Sequence, residues 1–141
     1  MSGVEIRRAD LLADEIPSAE AMLLDAPCSA LGVLAENPDA RWRKGPDQIA
    51  PLAERQAEML RRAADALLPG GTLIYSVCTL TPEETVQRRD ALLAERPDLK
   101  LDPLRPGEPG ASRAGPEGDL TLWPRRKSGA GGYLVRFRKD S

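Results

Sequence analysis

Two apolar runs with an amphipathic stretch between them limit what this chain can fold into. "AMLLDAP" (21–27) and "TLIYSV" (72–77) read as strands, the first apolar enough for a sheet covered on both faces. Between them Ile49, Leu52, Ala53, Gln56, Met59, Leu60, Ala63 and Leu67 recur at helical spacing and form one apolar face. Strand, helix, strand in that order defines a parallel pair joined by a helical crossover. Asp47 is placed to cap the helix, Pro51 suits its first turn, and "PGG" (69–71) stops it. A second helix opens at "TLTPEET", where Thr81 and Glu84 have capping-box spacing and Pro82 takes the first helical position; it runs to about Glu95. "VEIRRAD" (4–10) reads as a further short strand ending at Asp10. "DLTLWP" and "GGYLVRFR" read as an antiparallel hairpin joined by "RRKSGAG". The whole is an α/β layered fold with a mainly parallel sheet.

In such sheets ligands sit beyond the carboxyl ends of the strands. Asp10, Asp25, Cys28 and Cys78 all fall at or just after expected strand ends. Each alone has an ordinary structural explanation: an Asp after a strand serves turns, and a free Cys is commonly a buried apolar residue. Two strand-end cysteines beside an acid shift the balance toward chemistry, because a thiolate is a nucleophile.

Composition removes several classes of function. The chain has 141 residues, enough for one domain, with 22 acidic and 20 basic side chains and a net charge of −2. No global positive field exists to hold nucleic acid nonspecifically. Local basic clusters (Arg41, Arg43 and Lys44; Arg61 and Arg62; Arg125, Arg126 and Lys127; Arg136, Arg138 and Lys139) read first as solvated surface. There is no histidine, which excludes Cys-His and Ser-His-Asp catalysis within the chain, and with two cysteines it argues against a zinc site. No secretory or membrane-spanning segment is evident, so reduced thiols in a cytoplasmic protein are the default.

"LLDAPCSALG" and "GGTLIYSVCTLTPEE" together closely resemble motifs of the Nol/Nop/Sun family of RNA cytosine-5 methyltransferases, above all the Sun-type bacterial enzymes of 16S rRNA. "ENPDARW", Gln56 within its helix and the terminal "GGYLVRFRK" fit the same catalytic domain, so the resemblance covers about Val4 to Lys139. It implies a Rossmann-like fold, S-adenosylmethionine as methyl donor and RNA, specifically rRNA, as substrate, with no role for DNA or a membrane. Cys78 matches the nucleophile that adds to cytosine C6, and Cys28 the second cysteine, which serves product release. Asp25 matches the acid that contacts the base beside the donor. Asp10, Asp25 and Pro27 match the cofactor side, Asp10 at its adenine end.

Two departures qualify the match. Val77 stands where the family usually has Thr before the nucleophile. The family's glycine-rich cofactor loop and ribose-binding acid have no counterpart in the chain, and "PGG" (69–71) is in the wrong context to replace that loop. The expectation is therefore a partial catalytic domain: a third-strand remnant over 1–20, a catalytic core over 21–101, a flexible Pro/Gly-rich loop over 102–118 and a terminal hairpin over 119–139. Such a chain binds S-adenosylmethionine weakly or not at all, and is inactive until its missing N-terminal half completes it. The alternative is a non-catalytic RNA-binding or protein-interaction remnant. An unrelated cysteine hydrolase is a remote third reading without histidine.

Overall fold

In the computed structural model residues 3–124 and 129–141 are described. Five strands form one mixed sheet: β1 (Ala19–Asp25), β2 (Leu67–Val77), β3 (Leu99–Leu101), β4 (Leu120–Leu122) and β5 (Gly132–Lys139), in the order β1-β2-β5-β3, with β4 also paired to β5. The β1–β2 pair is parallel, with Leu24 opposite Tyr75 and Asp25 opposite Ser76, as the helical crossover requires. The β4–β5 hairpin is antiparallel, with Leu120 opposite Leu134. Its connection through "RRKS" and the basic cluster Arg125, Arg126 and Lys127 lie outside the described residues.

One layer of helix covers one face of this sheet. Leu73, Tyr75 and Val77 of β2 alternate in phase with Tyr133, Val135 and Phe137 of β5, and all six are buried. They meet Met59, Leu60, Ala63 and Ala64 of α2 (Ile49–Ala66) and Leu92 of α3 (Val86–Glu95), with a short helix α1 (Ala40–Arg43) lying earlier in the chain. The apolar spacing read from the sequence is thus the packed face. Gln56 sits in it fully buried, a polar residue whose side chain needs partners there.

Several expectations are corrected. "VEIRRAD" forms no strand: residues 3–10 have no ladder partner, and Val4 and Ile6 are 81% and 92% exposed. Alternation makes a strand only where a neighbouring edge is in reach. β1 is covered on one face only, with Leu24 buried and Leu23 68% exposed, because both long helices lie on the same side. Its outer edge is unpaired among the described residues. Asp47 does not cap α2; it lies inside a 3-10 turn over Pro46–Gln48 that precedes the helix. "PGG" does not stop α2 either. The helix ends at Ala66, and buried Leu67 already pairs with Ala19. "PGG" then bulges out of β2, so the register jumps to Ala21 opposite Thr72, and Gly70 takes φ +72°.

Beyond α3 the short strand β3, too brief to read from the sequence, pairs Leu99 with Lys139. Residues 102–118 hold a 3-10 turn over Ala111–Arg113 and a bridge from Ala114 to Leu120. Arg136 reaches back to Asp102 and Glu108, and Arg89 of α3 pairs with Asp119 at 3.0 Å with both side chains nearly buried. Members of the other basic clusters also have partners. Arg61 pairs with Glu58 and Glu95, Arg43 with Asp39, and Lys139 donates to the carbonyls of Ala64 and Leu67. Arg61 and Lys139 tie elements together, whereas Arg43 and Asp39 form a local, solvent-exposed pair. No helix among the described residues is long and apolar enough to cross a membrane.

Candidate active site

The carboxyl ends of β1 and β2 lie side by side because the strands are parallel and in register. The loop after β1 therefore carries Cys28 to the place where β2 delivers Cys78. Their sulfurs stand 3.2 Å apart. The sequence separates them by 50 residues. Cys78 is exposed and Cys28 is partly covered. Burial first, and then the hydrogen bond shared with Cys78, push the Cys28 thiol up to about 12. Cys28 therefore holds its proton through the neutral range, while Cys78 presents the accessible sulfur.

Below the two sulfurs a buried polar cluster joins the same two loops. Ser29 follows Cys28 and Thr79 follows Cys78, and their hydroxyl oxygens lie 2.8 Å apart. Ser29 bonds directly to Glu84, a fully buried carboxylate in the 3-10 turn Pro82–Glu84, and Thr79 reaches it through the Ser29 hydroxyl. Glu84 Oε1 accepts from the Ser29 backbone N–H at 2.8 Å and from Gln56 Nε2 at 3.0 Å. Its Oε2 accepts from the Ser29 hydroxyl and, at 2.8 Å, from the Thr81 hydroxyl. An ionised carboxylate offers about four acceptor sites, and four donors fill them here. Burial alone would raise this acid's pKa. The bonds from Ser29, Thr81 and Gln56 outweigh that, and the carboxyl is held below its usual range.

The capping box expected of Thr81 and Glu84 is not made. Thr81 forms no side-chain cap to the backbone, and its hydroxyl binds the Glu84 carboxylate instead. Tyr75 adds a bond from its hydroxyl to the Glu84 carbonyl at 2.8 Å. Gln56 also donates to the Pro27 carbonyl at 2.9 Å, so one buried amide ties the residue before Cys28 to the carboxylate that binds the residue after it. The sequence signal for this cluster is Gln56, a polar residue set in an otherwise apolar helix face.

A cleft of about 220 Å³ opens beside Cys78, lined by Asp25, Ser76, Cys78, Leu122, Gly132 and Tyr133 among others. Asp25 is exposed at its edge, on the last residue of β1. The structure therefore brings Asp25, Cys28 and Cys78 to one rim. It does not bring Asp10 there: the Asp10 carboxylate accepts from the Leu12 N–H at 2.9 Å in a turn, and Asp10 is absent from the cleft wall. Pro27 contributes its carbonyl to Gln56 and likewise does not line the cleft.

Gly32 locks the rim. Its N–H donates to the Cys78 carbonyl at 3.0 Å, and its carbonyl accepts from the Gly131 N–H at 2.7 Å. A Cβ there would meet Gly131 O at 2.3 Å and Cys78 O at 2.9 Å, both backbone atoms. Gly32→Ala is expected to cost about 2–3 kcal/mol by overpacking, read from denaturant midpoints. It should also separate the two sulfurs, because the loop after β1 must retreat from Cys78.

The glycines of "PGG" lie in β2's initial bulge, at the opposite end of the strand from Cys78, and Gly71 is closed in by the Leu68 and Glu20 carbonyls. Gly131 and Gly132 line the cleft that Asp25 also lines, but they lead into β5 rather than forming a strand–loop–helix turn of the kind that cradles a cofactor. No cluster of three or more metal-ligating side chains occurs among the described residues.

The mixed sheet and its rim define a partial Rossmann-like methyltransferase fold. The structure of NSun6 from Pyrococcus horikoshii with SFG superposes with a TM-score of 0.76 at 28% identity, over 99% of this chain and 35% of that one. The crystal structure of PH0851 superposes with a TM-score of 0.77 at 35% identity, over 86% of this chain and 27% of that one. The model of the family 16S rRNA methyltransferase RsmB/F matches residues 3–138, and the chain belongs to that family. Ribosomal RNA small subunit methyltransferase B of Klebsiella pneumoniae (strain 342) is 46% identical over 98 residues, 68% of this chain and 23% of the relative. Ribosomal RNA small subunit methyltransferase F of Serratia proteamaculans (strain 568) is 40% identical over 124 residues, 86% of this chain and 26% of the relative. The chain thus spans about a quarter of the length of these curated relatives.

Proposed function

We propose that this chain supplies the thiol-bearing rim of a methyltransferase domain that methylates cytosine C5 in ribosomal RNA. Cys78 is the residue that attacks. The observation that carries the reading is the pair of sulfurs 3.2 Å apart at the ends of two parallel strands, one exposed and one holding its proton. Cytosine C5 is a poor nucleophile until a thiolate adds to C6 and makes the ring enamine-like. Exposed Cys78 is the sulfur that can reach a base in the cleft. Asp25 stands on the same cleft, where a carboxyl group can hold the N3 edge of the base and stabilise the adduct. Cys28, covered and protonated, suits the later elimination of the enzyme thiol rather than the attack. S-adenosylmethionine is the methyl source proposed for the family; NSun6 was solved with SFG, an analogue of it.

The test uses RNA carrying 5-fluorocytosine, which blocks release after methylation. The chain is supplemented with the upstream part of a relative's catalytic domain and with S-adenosylmethionine. The expected result is a denaturant-stable RNA adduct on Cys78. Cys78→Ser should reduce it to background, and Cys28→Ser should leave it in place. An adduct on Cys28, or none with a competent complement, would overturn the reading.

A further inference from the structure

The proposed chemistry uses two sulfurs but does not explain what holds them together. Neither loop is regular, and the Cys28 loop includes Ala30 at φ +59°. The contact between the sulfurs is weak, so something else must fix their distance. The buried cluster beneath them has the connectivity to do so. Ser29 and Thr79, the residues that follow the two cysteines, meet at 2.8 Å, and each lies in a loop tied to Glu84 or to its turn. Ser29 donates to Glu84 through both its backbone N–H and its hydroxyl. Gln56 anchors the same carboxylate to the rigid helix α2 at 3.0 Å.

We propose that Glu84, acting through Ser29 and Thr79, is a positioning residue that holds Cys28 and Cys78 in reacting distance. This deepens the reading above, since it assigns the support of the same two thiols. Glu84 touches no sulfur and takes no part in bond formation. Its four bonds leave it no spare acceptor, and full burial keeps water from competing for them. A carboxylate without donors would be expelled from this site. With them it becomes the common point to which both thiol loops are fixed.

The distance between the thiols can be measured without RNA or methyl donor. Diamide oxidises two thiols to a disulfide: each sulfur gives up a hydrogen, the sulfurs bond, and the azo bond of the reagent is reduced to the hydrazine. After the first sulfur adds to the reagent, the second displaces it, and this step depends on the second sulfur being in place. In the wild-type chain the Cys28–Cys78 disulfide should form rapidly and intramolecularly, seen by mass as the loss of two hydrogens and reversed by dithiothreitol. Glu84→Gln keeps the shape but replaces two acceptor positions by an amide NH2. Thr79→Val keeps the shape and removes the hydroxyl. Each should slow disulfide formation about tenfold or more, while Thr79→Ser should restore the wild-type rate.

Leu92→Ala, which leaves a cavity in α3, controls for loss of stability and should close the disulfide at the wild-type rate. If Glu84→Gln and Thr79→Val also close it at that rate, the positioning role is overturned. It is overturned as well if Leu92→Ala slows closure equally. Failure to form an RNA adduct would strike the proposed methylation and leave this result standing. Failure here would leave the adduct test untouched.

Discussion

Replacing Glu84 by alanine is expected to lower the unfolding free energy by about 3–5 kcal/mol, which is a large share of the stability of a single domain. The size of the loss follows from what the substitution strands. The Ser29 backbone N–H and the Gln56 amide lose an acceptor inside the protein, and the second is left with the Pro27 carbonyl alone. Each buried donor left without a partner costs about 1–3 kcal/mol. The hydroxyls of Ser29 and Thr81 can rotate toward one another or toward Thr79 and lose less. Removing the carboxyl also leaves a void next to Tyr75, whose hydroxyl is bonded to the same residue. Relief from holding a charge out of water offsets part of this, but that cost is already outweighed by the donors, as the lowered pKa of Glu84 requires. A melting temperature lower by about 10 °C or more is the thermal counterpart. Glu84→Gln should lose less than half as much, since it preserves the volume and half the acceptors.

The pH dependence has a definite sign. A carboxyl held below its unfolded value stabilises the fold above that value, and the contribution is lost as pH falls through the folded one. Wild-type stability should therefore drop on acidification below about pH 4.5 by more than that of Glu84→Gln, measured by urea titration at each pH.

Glu84 also marks the limit of what the chain reveals by itself. The pattern Thr81-Pro82-Glu83-Glu84 has helix-start spacing, and these residues do sit at the start of α3. What decides the role of Glu84 is its approach to Ser29 and Gln56, 55 and 28 residues away, which periodicity does not encode. The parallel β1–β2 pair, the α2 face and the terminal hairpin are legible because burial imposes periods of 2 and 3.6 directly on residue type. Residues 4–10 show the opposite case: Val4 and Ile6 have strand chemistry, but pairing is a property of the neighbour, and none stands beside them among the described residues. The same reasoning covers Asp10, which has no rim position because its strand does not form, and keeps Asp25, whose strand is fixed by six register pairs to β2. The cysteine pair is legible as two strand ends; their contact is not, since it depends on the loop that Gly32 and Ser29 fold back.

Cys28 is expected to react with iodoacetamide about fifty- to a hundredfold more slowly than an ordinary free cysteine at pH 8. With the Cys28 thiol pushed up to about 12, only about one molecule in ten thousand carries the thiolate at that pH. A free cysteine near 8.5 is about a quarter ionised, roughly 2,000-fold more. The more basic thiolate is intrinsically the better nucleophile, and at a Brønsted slope of about 0.4–0.5 that returns a factor of roughly 25–55. The net slowing is what remains, and partial cover of the sulfur adds to it. Peptide mapping after timed alkylation should show Cys78 modified first. The Cys28 rate should go on rising about tenfold per pH unit past pH 9, where an ordinary thiol has levelled off. The sign for stability follows from the same shift: the native state keeps a proton that the unfolded chain gives up, so the contribution is complete below about pH 8.5 and declines as pH climbs toward 12. Comparable alkylation of both cysteines at pH 8 would show that the sulfurs share one environment. The division of labour between an attacking Cys78 and a proton-holding Cys28 would then lose its physical basis.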